Sequence, residues 1–257
     1  MANTVSILVP CLVVGVPLVL YTLFLGLSAI PSVQRKNINE PQHWGFAMPF
    51  SENQVTPFHL TTADNETLYA WHVLPLPLYA QHEEKLSSQP TGLVSDITAT
   101  ENFRLLRDDP NAKLIITFHG NAAQLTQGYR PSHYHTLTSH TPYHVLALDY
   151  RGFGLSTGTP SESGLTLDAR AAITWAVQTA RIPPSRIVLI GHSLGTAVVA
   201  AASEQFTLHG GVDFAGVVLV AGFSSLPEML RHNPILTWNP VLLAVMRSFE
   251  TVEEAAT

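Results

Sequence analysis

The 257-residue sequence has a single cysteine, Cys11, which sits inside an apolar N-terminal run. With no partner it excludes an intrachain disulfide framework and leaves the redox compartment unread. Charge is scarce as well: 12% of residues are Asp, Glu, Lys or Arg, and the formal net charge is −6. No run of Lys and Arg occurs, so the electrostatic footprint of a nucleic-acid partner is missing. Aspartate gives out early, none following Asp213. Histidine is plentiful, but its densest group, His133, His135, His140 and His144, lacks a close acidic or cysteine companion and straddles Pro142. These side chains read as surface and packing residues, and neither a metal nor a cofactor is expected.

Apolar residues dominate, at 46% of the chain, enough for one sizeable core. Part of that excess is at the N-terminus. The first charged side chain is Arg35, and Ile7 to Ile30 is broken only by Thr22, Ser28, two glycines and two prolines. As a helix rising about 1.5 Å per residue this run would cover the roughly 30 Å hydrocarbon core of a bilayer. Pro10 and Pro17 would kink it, which lipid-embedded helices tolerate. A secretory signal peptide would want a basic n-region, which Met1 to Ser6 lacks, and a shorter apolar run. A buried core helix should show a polar face. Residues 1–30 are therefore expected to be a single-pass membrane anchor. Arg35 and Lys36 vote for a cytoplasmic domain after it, whereas the sequon Asn65-Glu66-Thr67 could be glycosylated only on the other side. Orientation stays open.

Residues 31–54 carry no clear periodicity and read as a juxtamembrane linker, leaving 55–257 as the catalytic-type domain. Val55–Leu60 and Leu68–Leu74 are strand candidates joined by a turn at Ala63-Asp64-Asn65-Glu66. Gln81–Lys113, polar and punctuated by Pro90, Gly92 and Pro110, reads as a surface excursion. Strands and helices then alternate, the pattern of a parallel sheet covered on both faces. Leu114–Phe118, Val145–Leu148, Arg186–Ile190 and Val217–Val220 are expected as buried strands. Ala122–Ser139 is expected to be helical in part, limited by Pro131. Ser161 can cap a helix whose apolar positions are Leu165, Ala169, Ala172, Ile173 and Ala176, closed by Pro183-Pro184. Thr196–Phe206 is rich in small, helix-compatible residues.

The strand Arg186–Ile190 runs straight into Gly191-His192-Ser193-Leu194-Gly195. A hydroxyl is a poor nucleophile at neutral pH and must be exposed beside a base and beside donors for an oxyanion. A sharp strand-Ser-helix turn does this, and glycine at both ends removes the Cβ atoms that would clash where helix folds over strand. Ser193 is thus the nucleophile position. After Leu114–Phe118 comes His119-Gly120-Asn121-Ala122, from which a backbone N–H of Asn121 would join that of Leu194 as oxyanion donors. His119, at a strand end, reads as orienting this loop rather than as the base. Asp149, in Asp149-Tyr150-Arg151-Gly152-Phe153-Gly154, precedes the nucleophile, whereas the fold orders the triad Ser, acid, His.

On LIITFHGNA, LALDYRGFGLSTGTPSESGLTLDA and RIVLIGHSLGTAVV the sequence resembles the α/β-hydrolase superfamily. Within it, the likeness is to the membrane-anchored lipases of the α/β-hydrolase domain-containing protein 12 type. It covers about Leu114 to Gly222. The resemblance implies a carboxylic ester hydrolase acting on lipid-like acyl substrates such as monoacylglycerols or lysophospholipids, in an endomembrane such as the endoplasmic reticulum, with the catalytic domain on the lumenal side in that group. It also implies a triad acid and His in loops after a seventh and an eighth strand. Past Val220 the sequence has neither pattern. The only later His is His232, and Glu228 four residues before it could touch it on a helix, but nothing brings the pair to Ser193. The expectation is an α/β-hydrolase fold incomplete at its C-terminus, in a truncated chain that is inactive or weak. A non-catalytic membrane-anchored protein with a binding or regulatory role, and a thioesterase or peptidase with the same nucleophile, are the alternatives.

Overall fold

The structure, a computed structural model, describes residues 49–121 and 124–222. Its elements run β1 (Val55–Thr61), β2 (Thr67–Val73), α1 (Leu76–Gln81), α2 (Glu83–Ser87), α3 (Glu101–Arg107), β3 (Lys113–Phe118), α4 (Arg130–Ser139), β4 (Tyr143–Leu148), α5 (Glu162–Thr174), β5 (Ile187–His192), α6 (Leu194–Gly210) and β6 (Gly216–Val220). Among the described residues the strands form one sheet in the order β1-β2-β4-β3-β5-β6. The β1/β2 and β2/β4 pairs are antiparallel, and β4, β3, β5 and β6 are mutually parallel. The chain leaves β3 toward β4 on one side and returns to β5 on the other. That reversal opens a crevice at the carboxyl ends of β3 and β5, where open α/β sheets bind ligands.

Side-chain alternation divides the core into two layers. Leu114, Ile116 and Phe118 of β3 join Leu146 and Leu148 of β4 against α5 and α6, whose Leu165, Ala169, Ile173, Val199 and Ala202 are buried. Ile115 of β3, with Val145 and Ala147, faces Tyr134 and Leu137 of α4 on the other side. Helix α5 starts as its sequence demands: Ser161 Oγ accepts from Gly164 N–H at 3.1 Å. It continues through a wide π turn at Trp175–Thr179 before the prolines. The hairpin turn between β1 and β2 has Asn65 at φ 64°, with its N–H bonded to Thr62 O at 3.0 Å.

Three expectations are corrected. The stretch 81–113 is not a surface excursion: Leu86, Ile97, Phe103 and Leu106 are buried, and Phe103 and Phe58 pack against Trp175 with ring centroids 5.8 and 5.2 Å away. Its short helices spread their few apolar side chains too thinly for a periodicity to show. Pro131 does not limit α4 but stands in its first turn, where its missing N–H has no intrahelical partner to lose. Strand β6 is not buried, Val217 to Val220 being 43 to 51% exposed. Among the described residues it is the outer strand, and an apolar run looks the same in sequence whether central or at an edge. Residues 1–30, where the membrane anchor is expected, lie outside the described residues. No helix among the described residues is long and apolar enough to cross a membrane.

Strands β2 and β4 bury a histidine pair: His72 Nε2 and His144 Nδ1 are 3.0 Å apart, with rings stacked at 5.2 Å. Burial pushes His72 down to about 3 and holds His144 well below its ordinary value, with His72 adding to the effect. The fold therefore takes up protons less readily than the unfolded chain. The stability this contributes is complete above pH 6.5 and is lost as the pH falls toward 3, at up to about 1.4 kcal/mol per pH unit for each histidine. Urea unfolding between pH 7 and pH 4.5 should give a shallower loss of stability in a His72→Leu/His144→Leu double variant than in the wild type. Equal slopes would show that the pair does not govern acid sensitivity.

Candidate active site

Ser193 stands between the end of β5 and the start of α6 with φ 50° and ψ −116°, a conformation that a non-glycine residue holds only when its surroundings impose it. Its backbone is tied on both sides. The N–H donates to Val220 O of β6 at 2.9 Å, and the carbonyl accepts from Thr196 N–H at 2.9 Å and Thr196 Oγ1 at 2.6 Å. The flanking glycines are sites of backbone contact. A Cβ on Gly191 would lie 2.3 Å from Gly195 O, and one on Gly195 would lie 2.1 Å from Phe118 O. The helix thus starts hard against the end of β3, with the N–H of Leu194 among those at its N-terminus that the helix leaves unpaired.

Across from Ser193 runs the loop after β3. A Cβ on Gly120 would meet Ser193 Cβ at 3.2 Å and His192 Nδ1 at 3.1 Å, so this backbone abuts the nucleophile position. Its carbonyls are held from behind. Tyr150 Oη donates to His119 O at 2.9 Å, and Arg130 Nη1 and Nη2 donate to Gln124 O at 2.8 Å and Gly120 O at 3.1 Å. His119 Nδ1 lies 2.8 Å from Gly120 O, which can only accept, so Nδ1 is the donor in this contact. The His119 ring is buried against Tyr150, and its Nε2 faces Asp149 Oδ1 at 3.4 Å. The His119 side chain is thus buried within the loop, in contact with its backbone. Asn121, exposed, follows in this loop, and Ala122 lies outside the described residues.

Asp149 is buried under the same loop, its Oδ1 accepting from Leu125 N–H at 2.6 Å. A Cβ on Gly154 would lie 2.0 Å from its Oδ2, so the turn after β4 closes directly over the carboxylate. Arg151 anchors that turn: its N–H and Nε donate to Asp168 of α5 at 2.8 and 2.9 Å, and Nη1 and Nη2 reach Asp64 of the β1–β2 turn at 2.7 and 3.0 Å. Beside the elbow is a cavity of about 230 Å³ lined by Phe118, Tyr129, His133, Tyr134, His192 and Val220 among others. Burial, and then the nearby His192, lower the His133 imidazole. The other sequence-level candidates, Glu228 and His232, lie outside the described residues. Arg130 and Tyr150, which hold the loop, were not singled out in the sequence. No local pattern in the sequence marks Arg130, which is the first residue of a largely polar helix.

A profile of the alpha/beta hydrolase family matches residues 114–254, more than half of the chain. The chain belongs to this family. Within it the chain is similar to proteins of the ABHD12 type. It is 27% identical to the lysophosphatidylserine lipase ABHD12 of Danio rerio over 81% of this chain and 52% of the relative. It is 31% identical to the same lipase of Rattus norvegicus over 68% of this chain and 38% of the relative. To Protein ABHD12B of Homo sapiens it is 38% identical over 48% of this chain and 33% of the relative. The chain thus spans about half or less of the length of these relatives. Among solved structures, an alpha-beta hydrolase from Vibrio vulnificus superposes with a TM-score of 0.58 at 17% identity, covering 89% of this chain and 67% of that one. That likeness shows the fold.

The close approach of the elbow to β3 makes a direct prediction. Gly195→Ala puts a methyl into the Phe118 carbonyl and should lower stability by about 3 kcal/mol, as overpacking of a rigid contact does. Gly216→Ala, where a Cβ meets nothing within 4 Å, should leave stability unchanged. Thermal or urea unfolding of the two variants compares them, and equal midpoints would mean that the elbow is slack.

Proposed function

We propose that the protein is a serine hydrolase that cleaves lipid-like acyl esters of the monoacylglycerol or lysophospholipid class. The observation that carries this reading is Ser193 itself, held at positive φ between β5 and α6 with the Gly120 backbone against it. The similarity to lysophosphatidylserine lipases of Danio rerio and Rattus norvegicus supports the substrate class. In this reading Ser193 Oγ forms a bond to the ester carbonyl carbon, and the carbonyl π electrons move to its oxygen. That oxyanion accepts hydrogen bonds from the N–H groups of Asn121 and Leu194. As the tetrahedral species collapses, the base that took the Ser193 proton hands it to the leaving oxygen, so the alcohol departs and an acyl-Ser193 remains, which water then hydrolyses to release the carboxylic acid and restore Ser193. The base that takes the Ser193 proton, and the acid that orients it, follow Ser193 in the chain order of the fold.

A fluorophosphonate probe should label the wild-type protein at Ser193, and Ser193→Ala should abolish labelling with unfolding midpoint unchanged. Against a panel of monoacylglycerol, lysophospholipid, acyl thioester and peptide amide, cleavage should favour the two lipid esters. A folded wild-type protein that takes no probe and cleaves none of the panel would overturn the reading in favour of a non-catalytic role.

The apolar run Ile7–Ile30 is proposed to anchor this domain at a membrane surface, where such substrates reside. On expression in eukaryotic cells the chain should stay in the membrane pellet after alkaline carbonate extraction, and a form beginning at residue 31 should be released. Release of the full chain would remove the anchor from the proposal.

A further inference from the structure

We infer that Arg130 is a positioning residue of the oxyanion hole, acting through the Gly120–Asn121 peptide group. The inference rests on the hydrolase reading above and adds a part to that machinery. Arg130 occupies the first turn of α4, is 7% exposed, and turns its guanidinium back over the loop after β3. Its fork spans that loop: Nη1 reaches Gln124 O at 2.8 Å and Nη2 reaches Gly120 O at 3.1 Å. Gly120 O also accepts from His119 Nδ1 at 2.8 Å, so a single carbonyl is fixed by two donors from one side. No cis peptide occurs among the described residues. In a trans peptide the C=O and the following N–H point in opposite directions. Holding Gly120 O toward Arg130 and His119 therefore turns the N–H of Asn121 away from them. A Cβ on Gly120 would meet Ser193 Cβ at 3.2 Å, so the residue that begins this peptide group lies against Ser193.

Two effects follow from this geometry. The first is orientation: an isolated glycine-containing peptide plane can flip, and Arg130 Nη2 and His119 Nδ1 on its carbonyl oppose that. The second is polarisation. A cation donating to C=O increases the positive character of the N–H of the same peptide, so that bonds in a chain strengthen one another in a buried site. Both make the amide a better donor to a charge that develops only in the transition state, which is where donors aid catalysis. A purely structural arginine would tie down the loop without this selectivity.

The test compares two ligands of the same acyl length, an alkyl trifluoromethyl ketone, which adds to Ser193 Oγ and loads the oxyanion site, and the matching methyl ketone, which occupies the groove without a stable adduct. The ratio of their inhibition constants against p-nitrophenyl butyrate hydrolysis does not depend on the folded fraction. In Arg130→Met, affinity for the trifluoromethyl ketone should fall ~10- to 100-fold, while that for the methyl ketone stays within about twofold. In Arg130→Lys, which keeps the charge but not the fork, part of that loss should be recovered. An unchanged ratio in both variants, or a parallel loss for both ketones, overturns the inference and leaves the hydrolase reading standing. A wild-type protein that hydrolyses no ester and binds neither ketone removes both.

Discussion

The architecture of the site depends on one backbone contact, that of Gly195 at the start of α6 with the Phe118 carbonyl at the end of β3. Parallel neighbours in a sheet lie about 4.8 Å apart. A helix that begins at the tip of one strand can therefore reach the tip of the next only where no side chain intervenes. Gly191 and Gly195 remove the obstruction, and the chain turns so sharply that Ser193 is left at positive φ with its side chain projecting from the bend. The cost of that conformation is carried by the hydrogen bonds to Val220 and Thr196 and by the packing of α6 on β3 and β5.

Everything else near Ser193 faces that bend from the opposite side. The β3 loop would be free to move if its carbonyls met only water. Instead, Tyr150, Arg130 and His119 take its oxygens while Asp149 takes the N–H of Leu125. Asp149 and Tyr150 are themselves fixed by the turn that Arg151 staples to Asp168 and Asp64. A chain of polar contacts thus runs from Asp64 at the surface of the first hairpin, through the buried β4 turn, to the loop facing Ser193. Removing one partner of a buried pair such as Arg151 and Asp168 would leave an uncompensated buried charge and destabilise the turn.

The strands were readable because their apolar runs are short and bounded by turn chemistry, and α5 because Ser161 and the Leu165-to-Ala176 periodicity state both its start and its inward face. Helix α3 was not readable: in seven residues only Phe103 and Leu106 are apolar and buried, too few to mark a period. The exposure of β6 was hidden for a different reason. Val-Val-Leu-Val carries the same composition at a sheet edge as in a sheet centre, and only the strand order distinguishes them.

By itself the sequence determined the class of the fold and the position of the strand-Ser193-helix bend. Strand-helix alternation and the Gly-x-Ser-x-Gly spacing are local properties, enforced by sterics over a few residues. It also set His119 at the mouth of β3 and Asp149 at the mouth of β4. What each of them does was decided only when β3 and β4 paired and brought both under one loop. The role of Arg130 lay wholly in tertiary structure, since its two acceptors precede it by six and ten residues across an irregular loop. No sequence spacing encodes the direction of a peptide plane, and the hydrogen bonds made to its carbonyl are what set it.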